Sequence, residues 1–99
     1  MLIKKLLTVT EFCTQNDIDL SFIHSLNENG LIEIVSKKGV EYIDLSQIMH
    51  LERFVRLYYD LDINIEGIET INHLLCHINA FQEEIISLKN QLSVYETDF

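Results

Sequence analysis

The sequence predicts a mainly α-helical protein made of a helix-turn-helix, a two-stranded β wing and a C-terminal coiled-coil helix. Three observations carry this expectation. Thr8, Asp19, Asp44 and Asn64 stand just ahead of apolar runs with helical spacing, where a side-chain oxygen is needed for the first free N–H groups of a helix. Two β-rich runs flank a glycine-containing tip. From Ile71 onward, apolar residues recur in alternating steps of three and four.

The elements follow in order. Thr8-Val9-Thr10-Glu11 has the spacing of a capping box and opens a short first helix from Val9 to about Gln15. Asn16-Asp17-Ile18 reads as the turn, Asp19 as the cap of a second helix, and Asn29-Gly30 as its end, with Gly30 free to turn left-handed. Leu31 to Val35 and Val40 to Ile43 are the candidate wing strands, joined by Ser36-Lys37-Lys38-Gly39. Asp44 with Gln47 marks a third helix, whose core face is predicted from Ile48, Leu51, Phe54, Val55, Tyr58 and Leu61. Asn64 caps a fourth. Its seam of Ile71, Leu74, Ile78, Phe81, Ile85, Leu88, Leu92 and Tyr95 is about 37 Å long at ~1.5 Å per residue. A lone helix cannot hide that seam, so a homodimer is expected; the alternative packs Ile71 to Ile78 back on the third helix. Residues 1–63 are thus assigned to the winged helix-turn-helix and 64–99 to the helical extension, within a single structural domain.

Composition narrows the function. The 99 residues carry a formal net charge of −9, with 47% hydrophobic and 23% charged residues, which is a globular composition. Residues 57 to 99 hold eight carboxylates against the single Lys89, and residues 6 to 36 contain no Lys or Arg. Such a surface repels phosphate backbones and anionic headgroups and favours a basic protein partner. Cys13 and Cys76 form no disulfide framework, and no apolar stretch is long enough to span a bilayer or to serve as an export signal, so a cytoplasmic protein with reduced thiols is expected.

In the middle of the chain Arg53-Phe54-Val55-Arg56-Leu57, Asp60-Leu61-Asp62-Ile63-Asn64, Gly67-Ile68 and Leu74-Leu75 follow one another. With Thr8-Val9-Thr10-Glu11-Phe12-Cys13 near the start, the sequence resembles the chaperone modulator CbpM family, within the MerR-like helix-turn-helix proteins, over nearly its whole length. The Asp-Leu-x-Ile-Asn-x-x-Gly-Ile run carries most of that resemblance, although Asn64 and Gly67 also have structural uses as a cap and a close-packing residue. The resemblance implies binding to the J-domain of a DnaJ/CbpA-like cochaperone and a block on its stimulation of the Hsp70 DnaK. An acidic surface suits that role, because a J-domain presents a basic helix. The residues expected to face the partner, from charge and from the exposure of caps and wing, are Asp17, Asp19, Glu28 and Glu41, with Tyr59 from the Tyr58-Tyr59 pair.

The alternative is a divergent MerR-like DNA-binding regulator. Where those regulators carry a Thr-Ile/Leu-Arg-Tyr-Tyr-like run, this chain has Phe22-Ile23-His24-Ser25-Leu26, with His24 at the arginine position. Where they carry Gly-Tyr-Arg in the wing, it has Gly39-Val40-Glu41. Lys37 and Lys38 alone supply roughly four phosphate contacts per dimer against the ~6–10 of strongly salt-dependent binders, and nucleic acid is not the expected partner.

Other constellations are weaker. His73, Cys76 and His77 share one stretch of helix, yet two or three donors on one helix do not close a tetrahedral site, so no metal or other cofactor is expected. Glu83-Glu84 fits a solvated helix face, and Cys13 a small core hydrophobe. No Gly-x-Ser-x-Gly, phosphate loop or His-Glu-x-x-His is present, and no enzymatic activity is expected.

Overall fold

The computed structural model describes residues 5–97, with the side chains of residues 96 and 97 left out of the description. The element order is β1 (Leu6–Thr8), α1 (Val9–Asn16), α2 (Leu20–Glu28), β2 (Val35–Lys37), β3 (Val40–Asp44), a 3-10 turn (Leu45–Gln47), α3 (Ile48–Val55), a π turn (Arg56–Asp60) and α4 (Ile65–Thr97). The chain divides into two compact units, residues up to Glu69 and residues from Thr70 onward.

In the first unit each helix start follows from its flanking residues. The Glu11 N–H donates to Thr8 Oγ1 at 3.1 Å, so Thr8 caps α1 while its own backbone lies in β1 opposite Tyr42. Asp17 ends α1 in the left-handed region (φ 53°), returning its N–H to the Cys13 carbonyl. Asp19 occupies the cap position of α2 with extended backbone, but its carboxylate makes no capping hydrogen bond. Gly30 follows α2 at φ 73°. At α4 the Gly67 N–H donates to Asn64 Oδ1 at 2.9 Å, the expected cap. Among the described residues, no helix is long and apolar enough to cross a membrane.

The wing differs from expectation in three ways. The sheet has three strands, not two, in the order β1-β3-β2, because Leu6, Leu7 and Thr8 pair antiparallel with Asp44, Ile43 and Tyr42. Of Leu31 to Val35, only Val35 is in a strand. The Gln47 side chain holds the preceding segment instead: the Glu33 N–H donates to Gln47 Oε1 (2.8 Å) and Gln47 Nε2 donates to the Glu33 carbonyl (3.0 Å). A side-chain amide thereby takes the place of a strand neighbour. The hairpin turn is also tighter than Ser36 to Gly39. Lys37 pairs with Val40, and Lys38 (φ 51°) and Gly39 (φ 78°) alone form the two-residue, doubly left-handed turn that suits strand twist.

The core gathers Val9 and Phe12 from α1, Phe22, Ile23 and Leu26 from α2, then Ile32, Ile43, Leu51, Phe54 and Ile68. These side chains meet because α1, α2 and α3 each turn one apolar stripe inward, and each large one contributes about 1.5–3 kcal/mol on burial. The third helix departs from its predicted face at its end. Leu51 and Phe54 are buried, but Tyr58 is 38% exposed and Leu61 64% exposed. The cause is the π turn, closed by the Leu61 N–H donating to the Arg56 carbonyl five residues back (3.2 Å), which shifts the helical phase after Val55.

In the second unit, α4 continues from Thr70 to Thr97 with Leu74, Ile78, Phe81, Ile85, Leu88, Leu92 and Tyr95 between 47% and 70% exposed, and Ile71 half-buried. The expected seam is therefore an open apolar stripe in the single chain.

Candidate protein-interaction surface

The sequence-predicted partner residues of the first unit fall into two groups. The first surrounds the α1–α2 turn. Asp17 and Asp19 flank Ile18, whose N–H donates to the Cys13 carbonyl (3.1 Å), so the turn is pinned to the end of α1 and both carboxylates stand outward. The Asp19 backbone N–H donates to the Tyr59 hydroxyl at 3.1 Å, which joins the turn to the π turn forty residues later. Tyr59 in turn meets the Phe22 ring edge-on (centroids 5.4 Å, 77°), Tyr58 lies over the same ring at 4.4 Å, and the two tyrosines meet at 5.0 Å. Both tyrosines pack on Phe22 and both keep an exposed face (38% and 41%), whereas ordinary helical phase would turn only one of two neighbours towards the core. The wider π turn brings adjacent residues closer together around the helix.

A shallow groove of about 370 Å³ opens at this turn, walled by Thr10, Cys13, Thr14, Ile18 and Leu20 with Asp17 and Asp19 at its edge. Burial, and then the negative charge of Asp19, push the Cys13 thiol up from its ordinary value, so Cys13 is a protonated thiol at neutral pH, partly buried against the core.

The second group lies on the later part of α2 and on β3. His24 Nε2 and Glu41 Oε1 are 2.9 Å apart, joining α2 to β3 through a pair of half-exposed side chains. Glu41 is thus engaged within the chain. Glu28 is exposed at the far end of α2, about 13 Å along the axis from Asp19 at ~1.5 Å per residue. Asp17, Asp19 and Tyr59 are brought together; Glu28 and Glu41 are not part of that cluster.

Among the described residues no ion pair joins Arg53 or Arg56 to Glu52 or Asp60. On α4 the rings of His73 and His77 stack at 6.4 Å and His77 approaches Phe81 at 6.3 Å, but no group of three or more His, Cys, Asp or Glu side chains is placed to hold a metal among the described residues.

Sequence reasoning missed the roles of His24, Gln47 and the π turn. A histidine and a glutamate seventeen residues apart carry no periodic signal, and only a strand folded back on the helix pairs them. The doublet Tyr58-Tyr59 just before Asp60-Leu61-Asp62 was the one available hint of a break in phase.

A helix-turn-helix closed by a β wing, with no Lys or Arg in its two leading helices, is the architecture of a helix-turn-helix regulatory domain. The chain belongs to the MerR HTH family of regulatory proteins, whose family model matches residues 7–90. No curated protein matches the chain.

Proposed function

We propose that this protein is a chaperone modulator that binds the J-domain of a DnaJ/CbpA-like cochaperone and blocks its action on Hsp70. What carries the reading is the state of the helix and wing where a DNA-reading relative keeps its cations: His24 and Glu41 stand there and are joined to each other at 2.9 Å. A DNA reader needs free donors for phosphates and base edges on those elements. Residues 6 to 36 offer no Lys or Arg at all, while Asp17 and Asp19 leave two carboxylates outward for a basic helix. The mechanism is occlusion. The J-domain helix that contacts Hsp70 is covered, and no bond is made or broken. A cytoplasmic homodimer, closed through the open stripe from Ile71 to Tyr95, is the assembly that fits this reading.

Titration calorimetry with the J-domain from the same organism at two salt concentrations tests it. Saturable binding that weakens with salt is expected; an absence of binding at high protein concentration overturns the reading. A second reading, a DNA-binding regulator, is favoured by the regulatory description of the family and by Lys37 and Lys38 at the wing turn. Retardation of labelled duplex at low salt would select it.

A further inference from the structure

We propose that the groove at the α1–α2 turn is the anchor point of the partner, receiving one lysine or arginine side chain from a basic amphipathic helix; this rests on the protein-binding reading and assigns it a locus. The groove, at about 370 Å³, takes a long side chain but is open along its length, and a small molecule held by contacts alone needs most of its surface enclosed. Its walls are mixed in the way a basic side chain requires. Ile18, the Cys13 thiol and the partly exposed Leu20 cover an aliphatic stem, and Asp17 and Asp19 meet the charged head.

Charge complementarity decides the occupant. Among the described residues neither of these two carboxylates has a hydrogen-bond or ion-pair partner, and there is no cation between residues 6 and 36 to neutralise them. Tyr59 adds a third component. Its hydroxyl is 3.1 Å from the Asp19 nitrogen and the residue is 41% exposed, which sets a partly open tyrosine next to the acidic edge, and an aromatic ring near carboxylates favours a guanidinium or ammonium group. Glu41, engaged with His24, and Glu28, at the other end of α2, lie outside this anchor.

Cys13 is a built-in reporter, since it lines the groove while Cys76 is exposed on α4. The experiment is competitive alkylation of the full chain with iodoacetamide, with and without the J-domain, reading each cysteine by mass spectrometry. Bound J-domain slows modification of Cys13 by about tenfold or more and leaves Cys76 unaffected, and the Asp17→Asn/Asp19→Asn variant, which keeps side-chain shape and tolerates the left-handed turn, weakens J-domain binding by about tenfold. J-domain binding with Cys13 as reactive as in the free chain overturns the anchor and leaves the modulator reading standing. If the J-domain does not bind, the same footprint is taken with a synthetic helical peptide carrying Lys and Arg at i and i+4. Protection of Cys13 by the peptide, lost in the double variant, supports a groove for another basic partner; no protection overturns the proposal.

Discussion

Gly67 stands in the first turn of α4 where a Cβ would lie 2.6 Å from Ile63 Cγ2 and 3.1 Å from Asn64 Oδ1. The Ile63 methyl is fixed to a β-branched carbon and cannot swing aside, so the helix-propensity gain of alanine is outweighed by overlap. Gly67→Ala is expected to lower stability by about 1–2 kcal/mol in urea denaturation, against a gain of about 1 kcal/mol for the same change at an unobstructed helix position. Cys13 offers a second test. Its thiol is held protonated first by burial and then by the Asp19 charge, so its alkylation is slower than that of a free cysteine at neutral pH and climbs as pH rises through the raised value. Asp19→Asn removes the charge but not the burial, and is expected to speed Cys13 modification partially; an unchanged rate would assign the whole shift to burial. The caps at Thr8 and Asn64 were legible in the sequence because capping is local chemistry. The missing capping bond of Asp19 was not, because the cap position is visible in sequence and the side-chain rotamer is not.

The wing and the segment before it show what single elements add. Lys38 is an L-residue at φ 51° in a doubly left-handed turn, where asparagine is preferred ahead of glycine. Lys38→Asn is expected to raise stability by about 0.5–1 kcal/mol, read as a higher urea midpoint with an unchanged slope. Gln47→Ala removes both bonds to the Glu33 backbone and is expected to cost about 1–2 kcal/mol and to speed amide exchange at Glu33; protection equal to that of the parent would show that the segment is held by Ile32 alone. The hairpin was legible from β-branched residues and a glycine tip. The third strand was not: Leu6 to Thr8 is too short to carry an alternating pattern, and it becomes a strand only because β3 presents a free edge to it.

Across the whole molecule the question is what covers α4. Seven of the eight seam residues are exposed in the single chain, and burying each large side chain is worth about 1.5–3 kcal/mol. Truncation after Ile78 is expected to give a monomer by sedimentation, if two chains close this stripe, and to leave the helix-turn-helix unit folded, since its core ends at Ile68. A dimer surviving that cut would place the contact outside the stripe beyond Ile78. By itself the sequence determined the order of helices, the caps at Thr8 and Asn64, the presence of a glycine-containing wing tip and the heptad stripe, all of which depend on residues within a turn or two of one another. Tertiary structure alone decided that His24 meets Glu41, that Gln47 holds Glu33, and that Asp19 is tied to Tyr59. Each joins residues from separate elements whose approach depends on how Phe22, Leu51 and Phe54 pack, and no local spacing encodes that.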